Sequence, residues 1–390
     1  EFGPPEIHGL EAIDHFEDDR RSEEHEAVHQ QEEADAAPAR PVPPRGSAIW
    51  SHGRQYPCAA TIRNTSMSTM PLTAADASPG EADLTRGEQG VLRTLIYYHI
   101  FDFPLTMDEL VQLAAAPWSD QDGCGEAVRR LVDRGLVSRR DDLVHLGSAD
   151  SVDRRRRAEV AGKQILPRAH RRARFIAAFP WVRAVAISGT LSKGIHQAGD
   201  DVDFFVITAP GRPWLCRVVL MGFKKLFLFN SRRLFCVNYL VAEDHLDLPD
   251  RNEFTAAEIA WLRPVTGERL LAAFERANGW VRRYLPNRPA PPITTADDRR
   301  PAVVSRVVET LLANPLGDAL EATAHRMMRW RNRRRYGGGL QERYDQAMRA
   351  TTSHSKHHPQ DFQGKVMKRY TEALAAFERK HGVVLGGGQE

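Results

Sequence analysis

The sequence predicts an α+β fold, and three observations carry that prediction. Short apolar runs of β type (Trp181 to Ser188, Phe204 to Thr208, Leu234 to Val241) are separated by stretches of helical period. Upstream, residues 81–150 join capped helices to a short ribbon. Downstream, residues 266–390 carry helical periods with one proline-rich break, Pro286 to Pro292. The expected order is an acidic, proline-rich leader (1–80), a small helix-and-ribbon domain (81–150), a core with a small mixed sheet (151–265) and a helical C-terminal domain (266–390).

Composition sets the class. With 390 residues, 42% apolar and 27% charged, the chain has room for two or three globular domains. The net charge of +3 is unevenly spread. Residues 1–66 hold 13 acids against 6 bases, so the remainder is basic. Charge clusters such as Glu17-Asp18-Asp19, then Pro38 to Pro44, leave the leader too little apolar surface to offset chain entropy. Met67 and Met70 stand just before the first structured segment, so one reading is that residues 1–66 precede the native start. The four cysteines (Cys58, Cys124, Cys216, Cys236) form no CxxC pair, which argues against a disulfide scaffold or a zinc ribbon. No apolar run reaches 18 residues, and no signal-peptide region opens the chain. The expectation is a cytoplasmic protein with no membrane partner.

In residues 81–150, Thr85-Arg86-Gly87-Glu88 and Thr106-Met107-Asp108-Glu109 have the form of capping boxes. Val91, Leu92, Leu95 and Ile96 follow the first. Leu110, Val111 and Leu113 follow the second. A third helix is expected over Glu126 to Asp133, with Val128, Leu131 and Val132 inward and Gly135 closing it. Leu136 to Arg140 and Leu143 to Leu146 read as a hairpin around Asp141-Asp142. Three helices and a ribbon resemble a winged helix, which implies DNA binding or protein docking. Arg129 and Arg130 stand beside Glu126 and Asp133, and Arg139 and Arg140 beside two aspartates, which favours docking over DNA.

The core opens on a basic helix (Arg154 to Arg157, then Arg168, Arg171, Arg172 and Arg174), either a solvated face or a phosphate contact. The first strand then ends at Gly189-Thr190. Ten residues on comes Asp201-Val202-Asp203, leading into Phe204 to Thr208. A glycine after a strand lets backbone N–H groups approach phosphate oxygens. Aspartates at i and i+2 on a strand face the same side. Two hard oxygen donors on one face suit Mg²⁺, which also takes triphosphate oxygens.

This pattern resembles the polymerase-beta-type nucleotidyltransferase superfamily, in which a strand, a Gly-Ser pair, about ten residues and Asp-x-Asp open the site. Lys193-Gly194 falls where many members carry a basic residue and a glycine. The resemblance implies Mg²⁺ (or Mn²⁺) on Asp201 and Asp203, an NTP (ATP foremost) cradled by Gly189 and Thr190 with Lys193 against its charge, and transfer of a nucleoside monophosphate to an acceptor. Thr190 replaces the commoner serine and keeps the hydroxyl. The third carboxylate, on a later strand in many members, corresponds to Asn238. An amide can ligate a metal but cannot act as a base. Glu243, Asp244 or Asp247 are possible substitutes.

Elsewhere, Pro213 to Leu228 reads as a helix carrying Arg217, Lys224 and Lys225, and Asn252 to Trp261 as a shorter one capped by Thr255, whose Glu258 either approaches the site or, the favoured reading, lies on the surface. Helices are expected near 267–284, 301–314, 316–335 and 361–381. The run Arg326 to Tyr336 is basic with aromatics and reads as a solvated helix face or a contact for nucleic acid or phosphate. His354, His357 and His358 near Asp361 match no metal spacing and read as a polar loop. The acceptor is open: a small molecule, RNA or a protein side chain. A DNA-binding regulator with a degenerate, nucleotide-sensing core, and an interaction protein with an inactive one, are the rival readings. Because residues 1–66 offer little apolar surface to pack, a chain starting at Met67 is expected to melt within a degree or two of the full chain in a calorimetric scan. A loss of several degrees would mean that the leader docks.

Overall fold

The first helical turns are built by side chains that complete the backbone's hydrogen bonding. In the computed structural model, which describes residues 84–118, 123–228, 235–291, 302–340, 350–356 and 361–386, helix α1 (Arg86–His99) opens at Thr85. The Thr85 hydroxyl accepts from the Glu88 N–H at 3.2 Å, and the Glu88 carboxylate accepts from the Thr85 N–H at 2.7 Å. After strand β1 (Leu105–Thr106), helix α2 (Met107–Leu113) repeats the device with Thr106 and Glu109. Helix α3 (Cys124–Asp133) closes as the sequence predicts. The Leu136 N–H donates to Leu131 O and the Gly135 N–H to Val132 O, a Schellman pair. The leader lies outside the described residues.

Two expectations for this module are corrected. The ribbon is not two-stranded, because β1 pairs with β3 (Leu143–His145), which pairs with β2 (Ser138–Arg140), in the order β1-β3-β2. Two residues are too few to show alternation in a sequence. Val132 does not face inward but is exposed. Val128 and Leu131 define the inner face of α3, and Val132 lies about 100° further round the helix.

A five-stranded mixed sheet forms the centre. Helix α4 (Asp150–Ala177) leads into β4 (Val182–Ser188), the one-turn helix α5 (Gly189–Ser192) and β5 (Asp203–Thr208). Helix α6 (Pro213–Phe227), β6 (Cys236–Ala242), helix α7 (Glu253–Ala260), β7 (Arg263–Thr266) and helix α8 (Glu268–Ala277) follow. The strand order is β7-β4-β5-β6-β8, the last strand being β8 (His354–Lys356). β4 runs antiparallel to β5 and β7, β5 parallel to β6, and β6 antiparallel to β8. Phe204 and Val206 pack with Ala173 and Ile176 of α4 and Leu220 of α6. Phe205 and Ile207, on the other face, pack with Phe274 of α8, whose ring lies 4.8 Å from Phe205.

Residues beyond 266 do more than add helices. Helix α10 (Pro315–Leu340), which follows α9 (Val303–Leu311), lies on α6, with His325 stacked on Trp214 at 4.8 Å. Helix α11 (Phe362–His381) buries Val366 and Tyr370 beside α1, where Tyr370 meets Tyr97 at 5.4 Å. The polar segment at His354, expected as a loop, is an edge strand instead. Short, polar edge strands carry no apolar alternation to announce them. His357 and His358 lie outside the described residues. Among the described residues, no helix is long and apolar enough to cross a membrane.

The basic run on α4 is divided: Arg157, Arg171 and Arg174 are exposed, whereas the arginines at 154–156 are paired within the molecule. Arg155 is buried, donates to both Glu109 oxygens at 2.7 and 2.8 Å and to Glu159 at 2.9 Å, bonds the Pro104 carbonyl, and lies 4.2 Å over the Phe103 ring. Arg154 pairs with Asp102, and Arg156 with Asp142 and Glu159. These pairs fasten the N-terminal module to the core helix. Removing one partner of such a buried pair leaves uncompensated charge. Arg155→Ala is therefore expected to cost about 3 kcal/mol of stability, whereas Arg157→Ala, at an exposed neighbour, should stay within about 0.5 kcal/mol. Denaturant melts of the two variants check the contrast.

Candidate functional site

The site is assembled where β4 ends. Ser188 pairs with Asp203 across the antiparallel ladder, so the residue after Ser188 must turn beside the start of β5. That residue is Gly189, at φ 68°, and a Cβ there would come 2.6 Å from Asp203 Oδ2. Only glycine fits both the left-handed backbone and the contact. The turn of α5 is closed by Ser192, whose hydroxyl donates to Gly189 O at 2.8 Å. Thr190 donates from Oγ1 to Asp200 Oδ2 at 3.2 Å, and the same carboxylate oxygen accepts the Gln197 N–H at 3.0 Å. Both ends of the 190–200 loop are thereby tied together. The loop is also fixed to α4: the His196 N–H donates to Ala158 O at 2.9 Å, and Gly162 passes so close to Gly194 O that no side chain fits between them.

The two aspartates share a side of the sheet. Regular strand geometry begins at Asp203, so Asp201 stands just ahead of β5 rather than within it, which corrects the expectation of a strand bearing both. The alternation nevertheless holds. The Cys236 N–H donates to Val202 O at 3.2 Å, extending the ladder backwards, and Val202 is buried with Phe204 and Val206. Asp201 and Asp203 therefore project to the opposite side, the side of Phe205. Both are half-buried.

Asn238 lies on the neighbouring strand, one step deeper. In the parallel pairing Asp203 meets Cys236 and Phe204 meets Val237, but Phe205 meets Tyr239, so the register skips Asn238 at a bulge. Its Oδ1 accepts from the Cys236 thiol at 3.1 Å, which keeps it on the Asp203 side. The suggested substitutes for a third carboxylate are excluded by direction. β6 runs parallel to β5, and the Glu243 N–H donates to Thr208 O at 2.9 Å. Glu243, Asp244 and Asp247 thus follow the far end of the strands, about 17 Å from Asp203 at the usual rise per residue.

The acid that does reach the site is Glu258. Its Oε1 accepts from Lys193 Nζ at 3.0 Å, while Nζ also donates to Gly189 O at 3.2 Å. Of the two readings of Glu258, approach to the site holds, although its side chain stays 36% exposed; the cap of α7 is corrected. Asn252 accepts the Thr255 N–H at 2.9 Å, so Asn252 is the cap and Thr255 the third residue inside. Lys193 and Glu258 are 65 positions apart, a pairing no local pattern announces. The available signal was spacing: Glu258 stands one turn beyond the buried Phe254, towards the inner side of α7.

Among the described residues, no group of three or more His, Cys, Asp or Glu side chains could hold a metal ion. Asp201 and Asp203 place two carboxylates on one side of the sheet. Two carboxylates fit Mg²⁺, which keeps several waters and completes its shell with phosphate oxygens. An open depression of about 680 Å³ lies away from this site, lined by Trp181, Arg183, Arg212, Asp244, Glu309 and Asp318. Its arginines are engaged at 2.7 Å each, Arg183 with Glu309 and Arg212 with Asp318.

No protein-family model matches the chain, and no curated protein or solved structure is significantly similar to it. The geometry itself shows two carboxylates on one face of a sheet, a glycine turn pressed against one of them, and a lysine held over that turn. Gly189→Ala is expected to cost about 1–3 kcal/mol, from the left-handed backbone together with the contact to Asp203. A thermal melt reads the loss. Gly125→Ala, where a Cβ meets open space, should show none.

Proposed function

We propose that the chain is a Mg²⁺-dependent nucleotidyltransferase that moves a nucleoside monophosphate from an NTP, ATP foremost, to an acceptor with release of pyrophosphate. One observation carries the reading: the Gly189 turn is packed against Asp203 while Asp201 and Asp203 share a face. Asp201 and Asp203 would hold the metal, which supplies charge neutralisation on the phosphates when bound. The turn at Gly189 and Thr190 leaves the backbone uncovered for phosphate oxygens. Lys193 has three ammonium protons, of which Gly189 O and Glu258 take two, leaving one to aim at an anionic group. Asn238 contributes an oxygen and no base, so an acceptor hydroxyl loses its proton to another group, or the acceptor arrives already anionic.

The N-terminal module supports the docking role rather than the DNA-binding regulator. Its order of helix, strand, two helices and two strands is that of a winged helix, yet the arginines of α3 are matched in place. Arg129 pairs with Glu126 and Asp133, and Arg130 with Glu88 and Glu126. Cations committed to intramolecular partners release few counterions on a phosphate backbone.

The reading is tested by incubating the protein with each labelled NTP, Mg²⁺ and cell lysate, and following the label into an acceptor. Asp201→Asn with Asp203→Asn is expected to abolish transfer while the melting temperature holds or rises slightly, since like charges on one face repel without metal. Transfer retained in the double variant would remove these residues from the mechanism. Asn238→Asp, nearly isosteric, adds a third negative charge to this side of the sheet. It should lower stability in metal-free buffer and gain more from added Mg²⁺ than the unmodified protein does. An identical Mg²⁺ dependence of melting would take Asn238 out of the site.

A further inference from the structure

Helix α10 carries a basic and aromatic sequence pattern that the proposed reaction leaves unused. Its inner face is settled: Ala324 and Met328 are buried against Trp214 of α6, with His325 stacked on the same indole. The outer face is amphipathic in its own right. Leu316, Leu320, Met327 and Trp330 recur at intervals of four, seven and three, which places them within about 80° of arc. All four are exposed, Leu316 and Trp330 at 62%. Arg326, Arg329 and Arg333 form an exposed row along one flank, and Arg334 lies 5.4 Å over the Trp330 ring. From Ala322 to Leu340 the helix contains no acidic residue.

We infer that this face docks on an anionic phospholipid surface, with the Leu316–Trp330 stripe entering the headgroup boundary and the arginine row meeting lipid phosphates. An apolar stripe flanked by arginines, with an indole at its edge, is the chemistry of an interfacial helix. The contact is with a surface and needs no membrane span. The charge row selects among occupants. A second copy packed along the same stripe would bring like rows of arginine together, at a cost. Single-stranded nucleic acid would use the arginines and Trp330 but leave Leu316, Leu320 and Met327 in water. An anionic bilayer complements both halves of the face at once.

The test is sedimentation of the full chain with phosphatidylglycerol-rich vesicles against pure phosphatidylcholine vesicles. The full chain should sediment with the anionic vesicles only and be released by raised salt. Replacing Arg326, Arg329 and Arg333 together by Gln should lower partitioning on the order of 100-fold, from roughly 1 kcal/mol for each arginine near the surface. Leu320→Ser with Trp330→Ser should lower it independently of charge. Both sets of side chains are exposed, so the melting temperature should stay put and certify folding. No sedimentation with anionic vesicles, equal sedimentation with neutral ones, or full retention by the arginine variant overturns the inference. So does sedimentation of a chain starting at Met67 when the full chain stays in solution, which would make the acidic leader the occupant. Binding of single-stranded RNA that depends on the same residues, without vesicle binding, overturns it as well.

Discussion

The antiparallel pairing of β4 with β5 is the constraint on which the rest depends. Both faces of this pair are buried, with Phe204 and Val206 turned to α4 and α6, and Phe205 and Ile207 turned to α8. A one-residue slip would exchange these sets between two different helical layers, so the register is strongly specified. With Ser188 opposite Asp203, the chain has no choice about where Gly189 turns. The close approach of that turn to the Asp203 carboxylate is therefore a product of core packing rather than of any attraction within the site.

The loop that follows is held by several short bonds to unrelated parts of the molecule. Asp200 gathers Thr190 and the Gln197 backbone, Ala158 of α4 takes the His196 N–H, and Glu258 takes Lys193. No single bond of this kind contributes much net stability. Together they leave the loop few alternatives, and the proposed function relies on that rigidity.

The excess of positive charge beyond residue 66 has a structural explanation over much of the chain. Arg154, Arg155 and Arg156 join the N-terminal module to α4. Arg183 and Arg212 anchor α9 and α10 through Glu309 and Asp318, and Arg288 is bound to Glu275. The outer face of α10 sets arginines in a stretch of sequence without acids, beside exposed apolar side chains. Charge set beside exposed apolar side chains is a better guide to an external surface than the net value of +3.

What the sequence determined by itself was local: both capping boxes, the Gly135 terminus, the three central strands and the helices around them. The alternation that sets Val202 against Asp201 and Asp203 was equally legible. Each of these rests on bonds or periods spanning a few residues. What only the tertiary structure decided involved partners distant in the chain. β1 and β8 are too short to show a period. The burial of Arg155 depends on Glu109, 46 positions away. Glu258 reaches Lys193 because α7 packs beside the end of β4, while Glu243, Asp244 and Asp247 are carried to the far end of the sheet because β6 runs parallel to β5. Strand direction and helix placement are set by how the whole core closes, and residue type and spacing carry no record of that.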